Sequence, residues 1–329
     1  MKKQKYNYGT AILSAFEYLL ENYEETFVIG QGLWSPWYVG NSMTDLDKKF
    51  GKDRIIDTPV SESATTGAAI GASLAGMKPI VVHPRMDFML YSMDAIVNQA
   101  AKWSHMFAGQ ANSDVTIRSI INRGGEQGAQ HSQALHAWFA HIPGLRVVMP
   151  STVADARDLL IASVLCKDPV MFIDDKWLYN QEDILPPIKE IDLTTQKPIV
   201  TSKGKDITIV ASGHSSLLAR EATQVLKKNH ISAEVIDTRV LSPLHSRPII
   251  NSVKKTKNLL VVDPGWTSGG FSAEIIAKVI EQLPVNCLSN PPVRIALPDA
   301  PAPSSKVLEK AYYTKTKDLI KTVKKILKK

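Results

Sequence analysis

Short apolar runs alternate with helical periods along most of the chain. Thr26-Phe27-Val28-Ile29-Gly30, Lys78-Pro79-Ile80-Val81-Val82 and residues 114–121, 145–150 and 169–173 each read as a strand. Residues 63–75, 92–103 and 153–166 read as the helices between them. Strands alternating with helices of this size predict a parallel sheet covered on both faces, with ligands held beyond the carboxyl ends of its strands. Around residues 182–203 the period fades, and Pro186, Pro187 and Pro198 stand in a polar stretch that reads as an extended linker. A second alternating unit follows. Its strands are residues 206–211, 233–237, 258–263 and 293–297, and its helices residues 216–227 and 271–282. The pattern predicts an α/β protein with two parallel-sheet domains, residues 1–185 and 204–329, joined by a linker over 186–203.

A chain of 329 residues is long for one core, which agrees with two domains. The net charge of +7 is concentrated at the ends, in Lys2, Lys3 and Lys5 and again in Lys321, Lys324, Lys325, Lys328 and Lys329. Such ends read as solvated termini. With no zinc spacing and no stripe of aromatic and basic residues, the charge does not argue for nucleic-acid binding. Cys166 and Cys287 are far apart, which speaks against a disulfide framework and suits a reducing cytoplasm. Residues 11–20 are apolar apart from Glu17 and read as an amphipathic helix, not a signal peptide. No segment is long and apolar enough to span a membrane.

Three segments could carry chemistry. In the first, Glu62 opens a helix built of small residues, Ser63-Ala64-Thr65-Thr66-Gly67-Ala68-Ala69. A glutamate there can be a simple cap favoured by the helix dipole. Small residues, however, let another backbone or a ligand approach closely, so this helix is expected to be buried against one. The second segment runs from Asn122 to Gln133 beyond a strand end, where open parallel sheets hold ligands, and carries His131 among glycines and polar residues. His131 reads either as a proton-handling group or as a structural histidine bonded to a loop carbonyl. The third, Asp263-Pro264-Gly265-Trp266 through Gly269-Gly270-Phe271, suits an anion site or a chain reversal, and reversal is the simpler reading.

In this order and at these separations, the three segments resemble the beta subunit of the first component of 2-oxoacid dehydrogenase complexes, the group of the pyruvate, branched-chain and acetoin enzymes. The resemblance runs along nearly the whole chain. It is carried by residues 50–54 with Thr58-Pro59 and Glu62, by residues 94–102, by His131-Ser132-Gln133 with residues 139–145, and by Gly269-Gly270-Phe271. It implies a thiamine-diphosphate pyrimidine-binding domain followed by a transketolase-type C-terminal domain. It also implies oxidative decarboxylation of a 2-oxo acid. Glu62 matches the glutamate that bonds the aminopyrimidine ring nitrogen and shares a proton with it. His131 matches a histidine near the reacting centre, suited to orient substrate or move a proton during acyl transfer. The chain lacks the superfamily's Gly-Asp-Gly motif for the magnesium-bound diphosphate. By the resemblance, an alpha-type subunit supplies that half and holds Mg2+, beta chains pair within a heterotetramer, and a lipoyl-bearing acyltransferase can follow.

Departures from the family pattern keep other readings open. Where these subunits usually read Gln-Phe-Ala-Asp-Tyr, this chain has Pro84-Arg85-Met86-Asp87-Phe88. Arg85 and Phe88 are therefore candidate cofactor-binding residues, with Arg85 in place of the phenylalanine that packs on the pyrimidine. Beyond a strand end, Arg85 should meet either an anionic ligand or, in the plainer reading, a nearby acid such as Asp87 or the partner subunit. Asp263 and Pro264 likewise stand where the family often has histidine and glutamate. Two alternatives remain: a divergent transketolase-like subunit of a specialised biosynthetic pathway, and a non-catalytic regulatory or structural subunit.

Overall fold

The computed structural model describes residues 5–329, so Lys2 and Lys3 of the basic N-terminus lie outside the described residues. The chain forms two compact units. The first takes in the chain up to Arg123 and Trp138–Gln196, and the second Gly124–Ala137 and Lys197–Lys329. The glycine-rich segment after the strand that ends at Ile121 thus groups with the second unit.

The first unit is built on strands β1 (Thr26–Gly30), β2 (Ile55–Asp57), β3 (Lys78–His83), β4 (Thr116–Ile121), β5 (Arg146–Val148) and β6 (Val170–Asp175). They lie in the order β5-β6-β4-β3-β1-β2, every pairing parallel. Every residue of β4 and β6 is buried, as a parallel sheet covered on both faces requires. Helix α1 (Tyr8–Asn22) starts at a capping box. The Asn7 side chain accepts from the Thr10 N–H at 2.8 Å, and the Thr10 hydroxyl oxygen accepts from the Asn7 N–H at 2.9 Å. Its buried face, Ala11, Ile12, Ala15, Phe16, Leu19 and Leu20, packs on helix α3 (Val153–Leu165). Helix α2 (Glu62–Leu74) lies between these two in the chain. The helix expected over 92–103 is instead three pieces: a 3-10 turn (Phe88–Ser92), a π-helical stretch (Ala95–Ala100) and an α-helical end (Ala101–Met106). The widened turns keep Ala95, Ile96 and Ala100 buried together.

In the second unit, strands β7 (Ile199–Ser202), β8 (Ile207–Ala211), β9 (Ala233–Asp237), β10 (Leu259–Trp266) and β11 (Val293–Leu297) lie in the order β11-β10-β8-β9-β7. The edge strand β7 runs antiparallel to β9, and the other pairings are parallel. The end of the stretch read as a linker is therefore part of this sheet. The basic C-terminus is not a solvated tail. It is helix α7 (Thr316–Ile326), preceded in this unit by α4 (His214–Lys228), α5 (Arg247–Thr256) and α6 (Phe271–Glu281). Leu319, Val323 and Ile326, spaced as one helical stripe, are buried against Ala219, Ala222 and Leu226 of α4. The lysines interleaved with that stripe, Lys321 and Lys325, remain exposed. No described helix is long and apolar enough to cross a membrane.

Candidate functional site

A pocket of about 260 Å³ opens at the carboxyl ends of β1 and β3 in the first unit, just below the usual range for ligand cavities. Gly30 ends β1 in its wall, and a Cβ there would lie 2.4 Å from the Val82 carbonyl oxygen, so only glycine lets the two strands close at this point. The loop after β1 is tied down by Asp57 at the end of β2. Its carboxylate accepts from the Gly32 N–H at 2.7 Å and the Trp34 N–H at 3.2 Å. That loop brings Tyr38 to the pocket, where its hydroxyl accepts from Gln31 Nε2 at 3.1 Å.

Glu62, Arg85 and Phe88, singled out from the sequence, all line this pocket. Glu62 is the first residue of α2, half-buried, and the sole carboxylate in the lining. Among the described residues it makes no hydrogen bond or ion pair, so it does not cap its own helix. The face of α2 that carries Thr65, Thr66, Ala69, Ile70 and Ser73 is buried in the chain. The opposite face, Ser63, Ala64, Gly67, Ala68 and Gly71, is exposed, and a Cβ at Gly67 or Gly71 would meet nothing within 4 Å. The close approach expected along this helix is therefore not made within the chain. Arg85 is half-buried, its Nη1 fully enclosed without a hydrogen-bond partner. No ion pair joins it to Asp87, so the acid expected as its neutral explanation is not its partner.

Sequence reasoning passed over three lining residues, His83, Tyr38 and Tyr91. His83 ends β3 and is only 3% exposed. Its Nε2 lies 3.1 Å from the Thr66 hydroxyl, which donates to Ser92 Oγ at 2.9 Å. The Thr66 oxygen is then left to accept, so His83 carries its proton on Nε2. Burial alone lowers the pKa of His83 to about 4, and the ring is neutral near pH 7. Its place at a parallel-strand end was the available signal, the same one that marked Arg85.

His131 is not in this lining. It ends a 3-10 turn (Ala129–His131) in the second unit and is half-buried. In that unit Asp263 sits on β10, where its Oδ1 lies 2.9 Å from His136 Nε2 and accepts from the Gly265 N–H at 2.9 Å. Its Oδ2 accepts from the Ser272 N–H at 2.7 Å, which ties β10 to the start of α6. Burial pushes the Asp263 carboxyl up, but His136 and the two backbone donors outweigh it and hold the group below the usual carboxylate range. These bonds give the third segment a structural role: β10 runs on through Trp266, and the chain turns at residues 267–270, later than the Pro264-Gly265 turn read from the sequence. Among the described residues no group of three or more His, Cys, Asp and Glu side chains is placed to hold a metal ion.

Residues 4–181 match the family described as transketolase, pyrimidine binding domain, and residues 197–319 the transketolase C-terminal domain family. The chain is similar to the mitochondrial pyruvate dehydrogenase E1 component subunit beta of Saccharomyces cerevisiae, 35% identical over 96% of this chain and 87% of that protein. The Dictyostelium discoideum counterpart is 34% identical, over 96% of this chain and 89% of its own length. The Rhizobium meliloti subunit of that name is 34% identical, over 92% of this chain and 66% of its own. Among solved structures, one titled "Split gene transketolase, inactive beta4 tetramer" shares the fold, with a TM-score of 0.77 over 98% of both chains at 20% identity.

Proposed function

Because the chain belongs to the family of transketolase-type subunits that includes the pyruvate dehydrogenase E1 beta subunits, we propose that it is the beta-type subunit of a thiamine-diphosphate-dependent 2-oxoacid dehydrogenase or decarboxylase, active only with an alpha-type partner. One observation carries the reading: the pocket at the strand ends holds a single carboxylate, Glu62, with no partner among the described residues, at the first turn of α2. The lining fits the pyrimidine half of the group. It has aromatic and apolar walls in Tyr38, Val60, Phe88 and Tyr91, and one acid able to meet a ring nitrogen.

When bound, thiamine diphosphate supplies the electron sink that decarboxylation needs. In this reading the chain's own residues do four things. Glu62 holds and exchanges a proton at the pyrimidine ring nitrogen, and the positive end of the α2 dipole favours negative charge at that place. Phe88 and Arg85 flank the ring. The neutral His83 keeps α2 in register with β3 through Thr66, so that Glu62 stays at the pocket wall. His131 is assigned the proton transfer of the later acyl step on its motif alone. The exposed small-residue face of α2 suits a closely packed partner chain, and the relatives' names, as subunits, agree with an assembly.

The test is decarboxylation of 2-oxo acids with thiamine diphosphate and magnesium, by the chain alone and with its alpha-type partner. Activity should appear only with the partner. In the active pair Glu62→Gln should lower turnover about a hundredfold or more while the circular dichroism spectrum is kept. Full activity of the pure chain overturns the two-subunit reading, and near-normal turnover of Glu62→Gln overturns the role of Glu62.

A further inference from the structure

Two cations stand at the carboxyl edge of the first unit's sheet with no acid assigned to either. Arg85 lies two residues beyond β3, and Lys176 directly follows β6. Only β4 separates these strands, His83 lying level with Ser119 and Asp175 with Ile121. The nearby carboxylates on β6 are committed elsewhere. Asp174 pairs with Arg118 at 2.8 Å, and Asp175 with Arg123 at 2.5 Å. Asp175 also accepts from the Trp177 N–H at 3.0 Å. Neither Arg85 nor Lys176 has a carboxylate within ion-pair distance among the described residues. Lys176 is exposed as a residue, yet partial desolvation of its ammonium, and second the charge of Arg85, draw its pKa below the ordinary lysine range.

An enclosed guanidinium nitrogen without an acceptor is unfavourable, and a second cation at the same sheet edge, one strand away, makes it more so. An anion near both would offset the cost, and the planar fork of an arginine suits a carboxylate or phosphonate. Arg85 already lines the pocket in which the proposed chemistry takes place. We propose that the substrate is a 2-oxo acid with a second anionic group on its side chain, received by Arg85 with Lys176 beside it. The inference rests on the decarboxylase reading above, and it names the substrate class that reading leaves open. Both residues bind and select. Neither takes part in bond breaking.

Two measurements separate the failure of this proposal from the failure of the reading beneath it. The first compares kcat/KM of the two-subunit enzyme for pyruvate and 2-oxobutyrate with that for oxaloacetate, 2-oxoglutarate and 3-phosphonopyruvate. At least one of the doubly charged acids should be preferred tenfold or more. Arg85→Phe and Lys176→Gln should each lower that preference about ten- to hundredfold, mainly through KM, and Lys176→Gln, outside the pocket lining, should change pyruvate less than threefold. The second is titration calorimetry of the full chain alone with malonate as the probe. Binding should weaken tenfold or more in both variants and survive in part in Arg85→Lys, with circular dichroism reporting that each variant is folded. A preference for pyruvate together with malonate binding that is absent, or unchanged by both variants, overturns the anion site. Malonate binding that requires both cations, in a pair inactive on every 2-oxo acid, keeps the anion site and overturns the decarboxylase reading.

Discussion

Asp174→Asn is expected to be among the most damaging single substitutions in the first unit. Arg118 on β4 and Asp174 on β6 are both 0% exposed, and their Nη2–Oδ2 distance is 2.8 Å. Tyr179 closes the group, accepting from Arg118 at 2.8 Å and donating to Asp174 at 2.5 Å. The guanidinium lies 5.7 Å from the Phe16 ring centroid, and its Nε and Nη1 have no hydrogen-bond partner. Among the described residues, Asp174 is thus the only charge that compensates it at contact distance. Asparagine keeps the shape and an acceptor oxygen but leaves a cation enclosed by protein. Breaking a buried pair in this way costs about 3–5 kcal/mol, against about 0–1 kcal/mol for an exposed one. That is a large share of the stability of a typical domain, about 5–15 kcal/mol. Urea unfolding followed by tryptophan fluorescence and circular dichroism measures it, fitted as separate transitions because the chain has two units. The double substitution Arg118→Met with Asp174→Leu removes both charges and should recover most of the loss. A loss below about 1 kcal/mol for Asp174→Asn, or a double variant worse than the single, would refute the reasoning.

Leu319→Ala should cost about 2–5 kcal/mol, whereas Lys321→Ala on the exposed face of the same helix should stay within about 0.5 kcal/mol, both read from urea unfolding. The neutral, buried His83 makes stability depend on acid. Its folded pKa of about 4 lies below the ordinary 6.5, so the unfolded chain takes up the proton first, and stability present above pH 6.5 is lost as the pH falls toward 4. The loss is on the order of 3 kcal/mol and should be missing from His83→Asn, measured as the difference between the two proteins' unfolding curves over that range.

The parallel sheets were legible because their strands are short aliphatic runs set between helical periods, and burial on both faces demands that pattern. Residues 26–30, 78–83 and 233–237 lie where the apolar runs place them. The C-terminal helix was misread because charge was weighed before period. Five lysines suggested a tail, while Leu319, Val323 and Ile326 at helical spacing were the stronger signal. The pocket was half legible. Glu62, Arg85 and Phe88 meet there, while Lys176, which the strand-end rule marks as clearly as it marks Arg85, went unread because its neighbours Asp174 and Asp175 look like its partners in sequence. Only the three-dimensional pairing of those acids with Arg118 and Arg123 sets Lys176 apart.

The exposed face of α2 gives a test in which fold and assembly move in opposite directions. Ser63, Gly67 and Gly71 recur every fourth residue, with Ala64 and Ala68 beside them, so they form one stripe along the helix. A Cβ added at Gly67 meets nothing within 4 Å among the described residues, and glycine within a helix is about 0.8–1 kcal/mol less favourable than alanine, with leucine close to alanine. Gly67→Leu should therefore leave the isolated chain folded and slightly more stable. If the stripe is where the partner backbone approaches, the same leucine fills the space that the partner needs. The stripe also starts one residue from Glu62, so a displaced partner would leave the pocket wall incomplete. Thermal melting of the chain alone should show an unchanged or raised midpoint. Light scattering of the mixture with the alpha-type partner should show the assembly lost, and decarboxylation should fall with it. A variant that assembles normally would place the partner elsewhere on the chain. A variant that melts lower on its own would mean that α2 already packs against something within it.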